Sequence, residues 1–328
     1  MAALTKITIK DVAKAASVSV STVSRVFNDY QDISEETRQK VFAAARQLGY
    51  VPNSAARQLS SKKKKNIALI LNGINVSPGV AMPLEILSGV SDALDATDYE
   101  FVFYATNAKK QAQKSLAGFC AEHDISGLII QGLRTSDPYY QEINNFPLPL
   151  VAIDLLLDDA GTATVSIDNE AAAKEVTERL KAAGYKNILF VNGTKNTVIA
   201  ASREAGFRAI FPDGDVLYAD FSKEEAYRQI KNLSALTSYD AIFSASDLMA
   251  IGILSALTER QLNKKIAVVG FDDITLAQYT TPSLTTVRQD IQAISEASVT
   301  DLLVQIDTGE KRKHYIPYEI VVRESALI

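Results

Sequence analysis

The first regular pattern in the chain lies in residues 11–28, which have the sequence DVAKAASVSVSTVSRVFN. From Ile9 onward, apolar side chains recur at helical spacing and predict one buried stripe, formed by Ile9, Val12, Ala13 and Ala16. The polar run from Ser17 to Ser19 interrupts this stripe, and Ser19 is a suitable cap for a second helix over 20–28. Two short helices joined by a three- to four-residue turn predict a helix-turn-helix.

A third helix is predicted directly after this pair, over residues 35–48. Ser34 precedes it as a capping residue, and Gly49 follows it, where glycine readily adopts the left-handed conformation that ends many helices. Its apolar side consists of Val41, Ala44, Ala45 and Leu48. The three helices predict an all-α helix-turn-helix domain at residues 1–50.

Residues 51–65 have the character of a connecting segment. Pro52 disfavours helix at Val51, and Asn53 is a suitable cap for a short helical turn over 54–60. Four consecutive lysines at 62–65 follow and are typical of a solvated linker. The pattern therefore predicts a short hinge helix, a basic linker and a domain boundary near Lys65.

From Asn66 onward, buried strands alternate with amphipathic helices in two series. The first series has strands at 67–71, 101–105, 127–131 and 150–154, with helices at 83–96, 111–123 and 137–144. The second has strands at 188–192, 216–219, 241–244 and 266–271, with helices at 170–183, 202–211, 223–235 and 248–260. Alternating βα units predict an α/β body of two doubly wound parallel-sheet lobes, with ligands at the carboxyl ends of the strands.

Charge and composition narrow the possible functions. Residues 1–65 carry 12 Lys and Arg against 5 Asp and Glu, whereas the rest of the chain carries 22 against 34. A basic head on an acidic body favours a polyanionic partner for the head, although a basic segment is also compatible with a solvated face. One cysteine, Cys120, and two distant histidines exclude a disulfide framework and a Cys- or His-based metal centre. No apolar run suits a membrane span and no signal sequence is recognisable, so we expect a cytoplasmic protein without a membrane partner.

The motifs occur in an order that resembles the LacI/GalR family of bacterial transcription regulators. In the N-terminal part they are DVAKAASVS (11–19), TVSRVFN (22–28), YVPN (50–53) and ARQL (56–59). In the body they are NILF (187–190), REAGF (203–207), ASD (245–247), VGFDD (269–273) and LTTVRQD (284–290). One departure is Ser17, which stands in the turn where the family usually has glycine.

The resemblance implies that the second helix enters the major groove of operator DNA. Its exposed face carries Val20, Ser21, Ser24 and Arg25. Arg25 can donate to guanine O6 and N7, while Val20 and Ser21 match the positions that set specificity in the family. Backbone phosphates are expected to contact Ser19, Thr22 and Asn28. The alternative for Ser19 and Thr22 is that they are only a cap and helix surface.

The segment 51–65 resembles the hinge of the family, in which paired helices enter the minor groove. Leu59 matches the apolar wedge, and Ala56 permits close approach of the two copies. Asn53 and Arg57 are expected to contact the DNA backbone or the groove floor. The alternative is that Leu59 is an ordinary apolar residue of a linker.

The two lobes resemble periplasmic sugar-binding proteins, which close on a small ligand. The resemblance assigns residues 66–163 and 291–316 to an N-lobe, and residues 164–290 and 317–328 to a C-lobe. It also implies an effector site at six positions, Arg203, Asp272, Ser246, Phe221, Asp154 and Gln131. Arg203 and Asp272 can donate to and accept from neighbouring hydroxyls, and Phe221 can stack on a ring. A carboxylate partner for Arg203 and a loop-capping role for Asp272 are the alternatives.

These inferences predict a dimeric repressor of a carbohydrate-utilisation operon, controlled by a sugar or sugar phosphate and needing no other cofactor. A purine- or nucleoside-responsive regulator, or one controlled by a protein co-repressor, is the alternative. A tetramer is not expected, because the five residues after the last strand-like stretch are too few for a stable bundling helix. A dimer is expected because palindromic half-sites require two heads. Helix 83–96 can contribute Leu84, Leu87 and Val90 to its interface, and the alternative is that these side chains are ordinary core. An enzyme is not expected, since no phosphate-binding loop or nucleophile motif occurs. A transport-type binding protein would not need the basic head, and an architectural DNA-binding protein would lack the cleft residues.

Overall fold

The computed structural model describes residues 7–27, 30, 33–50, 66–73, 82–144, 146–155 and 161–328. It divides into two compact units, Met1–Lys64 and Lys65–Ile328. The predicted hinge at 51–65, with Asn53, Ala56, Arg57 and Leu59, lies outside the described residues, as does Asn28. Within the described part, no helix is long and apolar enough to cross a membrane.

The first unit contains three helices, α1 (Ile9–Ala15), α2 (Val20–Phe27) and α3 (Glu35–Leu48). They bury a small common core of Val12, Ala13, Ala16, Val23, Val26, Val41, Ala44 and Ala45. Ser34 accepts a hydrogen bond from the backbone N–H of Thr37 at the start of α3, and Gly49 ends it with φ of 62°. Ser17 adopts φ of 54° in the turn after α1. Serine thus occupies the left-handed conformation that glycine adopts at lower cost.

The second unit alternates strands and helices along the chain. The strands are β1 (Asn66–Asn72), β2 (Glu100–Thr106), β3 (Ile125–Gln131), β4 (Leu150–Ile153), β5 (Ala163–Ser166), β6 (Ile188–Asn192), β7 (Val216–Tyr218), β8 (Ala241–Ser244), β9 (Ala267–Val269), β10 (Thr286–Gln289), β11 (Lys313–Tyr315) and β12 (Tyr318–Val321). The helices are α4 (Met82–Leu94), α5 (Ala108–Gln111), α6 (Leu116–Glu122), α7 (Pro138–Glu142), α8 (Asn169–Ala182), α9 (Val198–Arg208), α10 (Lys223–Asn232), α11 (Asp247–Glu259) and α12 (Ile291–Thr308).

These strands form two parallel sheets, which confirms the predicted fold class. The first lobe has a six-stranded sheet in the order β11-β5-β4-β3-β1-β2, and the second lobe has a four-stranded sheet in the order β7-β6-β8-β9. β10 and β12 pair antiparallel with each other. The central strands β1, β3, β4, β6 and β8 are almost entirely buried, because helices cover both faces of each sheet.

Several observed elements differ from the predicted boundaries. The single helix predicted over 111–123 is two short helices, because Ser115 caps a new helix by accepting from the N–H of Gly118. The helix predicted over 202–211 begins at Val198, where Thr197 accepts from the N–H of Ala200. β5, β10 and α12 lie outside the predicted series, and the last strand-like stretch is divided between β11 and β12.

Candidate functional site

The second helix of the head presents a polar face. Val23 and Val26 are buried in the core of the three helices, so the opposite side of α2 faces solvent. Val20 is 41% exposed, and Ser21 and Arg25 are also exposed. Three of the predicted base-reading side chains are therefore accessible, and Ser24 is half-buried.

Ser19 has a clear structural role at the start of α2. Its Oγ accepts a hydrogen bond from the backbone N–H of Thr22 at 3.0 Å. The hydroxyls of Ser21 and Thr22 lie 2.7 and 2.8 Å from the same oxygen. This hydroxyl cluster caps the helix, as in the alternative interpretation of Ser19 and Thr22. The phosphate contacts of both residues stay a prediction.

Tyr30 is a neighbour of Arg25 that the sequence analysis did not identify. The guanidinium of Arg25 lies 5.2 Å from the centre of the Tyr30 ring, within cation–π range. The backbone N–H of Tyr30 also donates to the carbonyl oxygen of Arg25 at 3.1 Å. An aromatic residue five positions after an exposed arginine is the signal that could have indicated this contact.

A cavity of about 320 Å³ lies between the two lobes, at the carboxyl ends of the strands. All six predicted effector residues line it. The first lobe contributes Gln131, the last residue of β3, and Asp154, which follows β4. The second lobe contributes Arg203 in α9, Phe221 after β7, Ser246 before α11 and Asp272 after β9. The structure thus brings together side chains that are up to 141 positions apart in the sequence.

Arg203 is the buried cation of this cavity, with only 3% of its surface exposed. Its Nη1 lies 3.8 Å from Oδ1 of Asp272 and donates to the carbonyl oxygen of Ala245 at 2.5 Å. Its guanidinium stacks 3.6 Å from the centre of the Phe271 ring. Burial lowers the pKa of Arg203, while the charges of Asp272, Asp154 and Asp247 act in the opposite direction. Because arginine stays protonated in proteins, the carboxylates around it balance a permanent charge.

A chain of hydrogen bonds connects Arg203 to Asp154 on the other lobe. Nε of Arg203 donates to Oδ1 of Asn169 at 2.8 Å. Nδ2 of Asn169 donates to Oγ of Ser166 at 3.1 Å, and that hydroxyl donates to Oδ1 of Asp154 at 2.7 Å. All four residues are buried. The connection passes through residues 166–169, where the chain crosses from one lobe to the other.

Asp272 is held in an uncommon backbone conformation, with φ of 122°. Its backbone N–H donates to the carbonyl oxygen of Val287 at 2.7 Å, and its Oδ1 accepts from Nε2 of Gln289 at 2.7 Å. Behind it, Asp247 accepts from the N–H of Ile274 at 3.0 Å and from the hydroxyl of Thr286 at 2.5 Å. Burial raises the pKa of both carboxyls, because desolvation disfavours their charged form. Burial likewise raises the pKa of Asp154.

Phe221 forms one wall of the cavity and packs against Gly193. A Cβ placed on Gly193 would lie 2.0 Å from Cζ of Phe221, so any larger residue would displace the ring. Phe221 and the preceding Asp220 both have positive φ, 53° and 51°. This turn after β7 places Phe221 at the cavity, and its stacking on a ligand ring stays a prediction.

Ser246 lies at the edge of the cavity but also serves the helix behind it. Its Oγ accepts from the backbone N–H of Met249 at 3.3 Å, which caps α11. It is 5% exposed, so its hydroxyl faces little open space. The structure gives Ser246 a capping role, and its effector contact stays a prediction.

Gln289 is a cavity residue that the sequence analysis did not single out. It is 5% exposed, and its Oε1 is buried without a hydrogen-bond partner among the described residues. The sequence contains a signal that could have indicated Gln289, because this residue belongs to the LTTVRQD motif; in the structure it ends β10. Buried polar atoms are normally paired, so an unpaired acceptor at a cavity indicates a missing donor.

The mouth of the cleft carries exposed positive charge and a direct contact between the lobes. Arg134 and Lys195 are exposed there, and the ammonium of Lys195 lies 4.6 Å from the centre of the Tyr218 ring. The backbone N–H and the hydroxyl of Thr135 donate to the carbonyl oxygen of Asn196 at 2.9 and 3.1 Å. Among the described residues, no group of three or more His, Cys, Asp or Glu side chains could hold a metal ion.

Helix α4 was predicted to contribute three apolar residues to a dimer interface. Val90 is fully buried, and Leu87 packs partly buried against the core of the unit. Only Leu84, which is 68% exposed, is available to a partner. Val90 therefore fills the core of the first lobe, which is the alternative that the sequence analysis left open for these side chains.

Comparison with family models gives two matches along the chain. Residues 8–53 match the model of bacterial regulatory proteins of the lacI family. Residues 177–326 match the model of the periplasmic binding protein-like domain. The first match covers the three helices of the head, and the second covers most of the second lobe with the C-terminal segments.

Individual relatives extend over nearly the whole chain. The ribose operon repressor of Halalkalibacterium halodurans is 31% identical over 97% of this chain and 96% of its own length. The lac repressor dimer bound to operator and an anti-inducer superposes with a TM-score of 0.86 and 28% identity, over 98% of this chain and 99% of that one. A complex of the regulator CelR with cellobiose has a TM-score of 0.73 and 27% identity, over 98% and 100% of the two chains.

Proposed function

The chain belongs to the LacI family of bacterial regulatory proteins, and on this premise we propose that it is a repressor of a carbohydrate-utilisation operon controlled by a small molecule bound between its lobes. As a member of the LacI family, the chain is a DNA-binding transcriptional regulator. This confirms the resemblance to the family that was inferred from the sequence motifs. It also confirms that the chain is not an enzyme, since the family consists of regulators.

One observation carries the proposal of small-molecule control. Side chains from both lobes, with a buried Arg203–Asp272 pair among them, converge on a single cavity of about 320 Å³. Ligand pockets typically have volumes of ~300–1,000 Å³ and a few convergent polar groups in an apolar wall. The names of two relatives, a ribose operon repressor and a CelR–cellobiose complex, support a carbohydrate as the ligand of this chain.

Control of DNA affinity follows from the position of the cavity. A ligand that contacts Asp154 on one lobe and Arg203 on the other favours the arrangement of lobes in which both contacts are made. Such a ligand shifts operator affinity only by its differential binding to two states, typically by ~1–3 kcal/mol. The hinge segments at 51–65 would transmit that shift to the two heads.

The active unit is proposed to be a cytoplasmic homodimer on palindromic operator DNA. A helix-turn-helix reads one half-site, and two half-sites about one helical turn apart require two heads. The related lac repressor binds its operator as a dimer, which supports this stoichiometry. Exposed Leu84 on α4 is a candidate contact between the two bodies.

The proposal is tested in two steps with the full-length protein. A thermal-shift screen of free sugars, sugar phosphates and nucleobases identifies ligands, and fluorescence anisotropy then measures affinity for DNA upstream of the protein's own gene with and without each ligand. We expect salt-dependent nanomolar binding to that DNA and a change of at least fivefold on ligand addition.

Two matched arginine variants distinguish the loss of ligand binding in the cleft from a general effect of removing an arginine. Arg203→Gln should abolish the ligand response and retain DNA binding, whereas Arg228→Gln on the exposed surface of α10 should leave both unchanged. A ligand response that survives in Arg203→Gln would place the effector outside this cavity. Stabilisation of the protein by a nucleobase and by no sugar would favour the purine-responsive alternative.

A further inference from the structure

The deep end of the cleft is rich in hydrogen-bond acceptors and poor in donors. Asp154, Asp272 and Gln289 all present side-chain oxygens there, and Oε1 of Gln289 has no partner among the described residues. Arg203 provides the opposing donors, but its Nε is bonded to Asn169 and its Nη1 to Ala245. The N–H groups left for a ligand are therefore the two on Nη2 and the second one on Nη1, whose nitrogen lies 3.8 Å from Oδ1 of Asp272. A ligand that fits this environment must bring several donors of its own.

The charged groups of the deep end likewise favour a neutral ligand with hydrogen-bond donors. The buried carboxyls of Asp154 and Asp247 and the partly buried carboxyl of Asp272 surround one guanidinium. Among the described residues that line the cavity, the other cation is Arg134, which is exposed at the mouth. A phosphate group carries up to two negative charges near neutral pH and accepts hydrogen bonds without donating them. Placed beside these carboxyls, it would bring further negative charge and acceptor oxygens into a desolvated site that already disfavours the charged form of its own carboxyls.

The walls of the cavity have a different chemistry from its deep end. They are mainly apolar and include Phe221, Leu133, Leu155, Ile199, Leu248 and Ile274. A sugar ring has C–H faces that pack against such walls and hydroxyls at its edge that donate to carboxylates.

We propose that this cleft selects a neutral sugar over its phosphorylated counterpart. The selection rests on Asp154, Asp272 and Gln289 as acceptors for hydroxyl donors. This inference depends on the proposed function of the cleft as an effector site, and it identifies the chemical class of that effector.

The test compares matched pairs of free and phosphorylated sugars on the full-length protein. Ribose with ribose 5-phosphate, glucose with glucose 6-phosphate, and fructose with fructose 6-phosphate are measured by thermal shift and titration calorimetry. We expect that in each pair that binds, the free sugar binds at least tenfold more tightly. A phosphorylated member that binds as tightly as its free partner, or more tightly, overturns the selection while leaving the effector site in place. Failure of all six to bind overturns the sugar-responsive function and the selection with it.

Two variants test the physical cause of the preference. Asp154→Asn removes an ionisable carboxyl, retains an acceptor for Ser166, and should reduce the preference for the free sugar several-fold. Asp213→Asn, at an exposed position away from the cavity, is the matched control and should leave the preference unchanged. An unchanged preference in Asp154→Asn would show that charge at this carboxyl does not set the selectivity.

The exposed arginine at the mouth requires a separate variant. Arg134→Gln removes the cation at the mouth, and the free sugar should still bind this variant more tightly than its phosphorylated counterpart does. A phosphorylated sugar that binds the wild type and loses its affinity in Arg134→Gln would mean that the mouth accommodates the phosphate, and would overturn the proposed exclusion.

Discussion

Replacing Gly193 by alanine should weaken ligand binding, because the new methyl group would displace the Phe221 ring that forms one wall of the cavity. The new Cβ would lie 2.0 Å from Cζ of Phe221, whereas ordinary contacts begin near 3.4 Å. The ring must therefore withdraw by about 1.4 Å. Gly193 itself has no positive φ, so alanine introduces no backbone strain there.

The expected magnitude follows from what the ring contributes. A well-placed aromatic contact adds ~0.5–1.5 kcal/mol beyond the area it buries, which corresponds to about a 2- to 12-fold loss of affinity. Overpacking in a filled region costs ~1–3 kcal/mol of folding free energy as well. We expect both effects in Gly193→Ala, measured by titration calorimetry with a ligand from the screen and by differential scanning calorimetry.

A double-mutant cycle assigns the loss to the ring. In a Phe221→Ala background there is no ring for the new methyl group to displace, so Gly193→Ala should then cost little further affinity. Wild-type affinity in the single Gly193→Ala variant would refute the role of Phe221 as a wall of the ligand site. Fully additive losses would show that the two positions do not act through this contact.

Four further predictions concern the head, the link between the lobes, the buried carboxyls and the assembly. Arg25→Ala should relax specificity at one base pair of each half-site, which a binding selection over randomised operators detects; uniform weakening would exclude base readout. Ser166→Ala breaks the hydrogen-bond chain to Asp154 and should lower ligand affinity while operator affinity without ligand stays unchanged in anisotropy. Burial raises the pKa of Asp272 to about 7 and that of Asp247 to about 8, so the folded chain retains protons that the unfolded chain releases near pH 3.9. The thermal midpoint should therefore fall as pH rises from about 4 to about 8, and a rising midpoint would contradict these shifts. Sedimentation equilibrium at micromolar concentration should give twice the chain mass of 35.6 kDa, and a DNA-independent tetramer would contradict the proposed dimer.

The helices of the head could be predicted because their determinants are local. The cap at Ser34, the left-handed Gly49 and the apolar stripe of α3 all act within a few residues of one another, and the observed bounds of α3 agree with the predicted 35–48. The alternation of strands and helices is equally local, since each period is visible within one element. Where local signals competed, as at Ser115 and Thr197, the capping side chains moved the helix boundaries.

The positions of the candidate effector residues could be predicted only through the family resemblance. The hydrophobic repeats of strands and helices, 2 and 3.6 residues, do not relate Gln131 to Asp272, because the two residues are far apart in the chain. The order of strands in two separate sheets brings them to one cavity. The hinge at 51–65 stays a prediction from the motif YVPN and its neighbours.

The amino-acid sequence by itself determined the three-helix head, the two series of βα units and the basic charge of the first 65 residues. The tertiary structure alone decided the unpaired oxygen of Gln289, the chain from Arg203 through Asn169 to Asp154, and the contact of Phe221 with Gly193. These features depend on distances between residues far apart in the chain. Packing sets such distances when the whole body folds, whereas caps and periodicity act only along one segment.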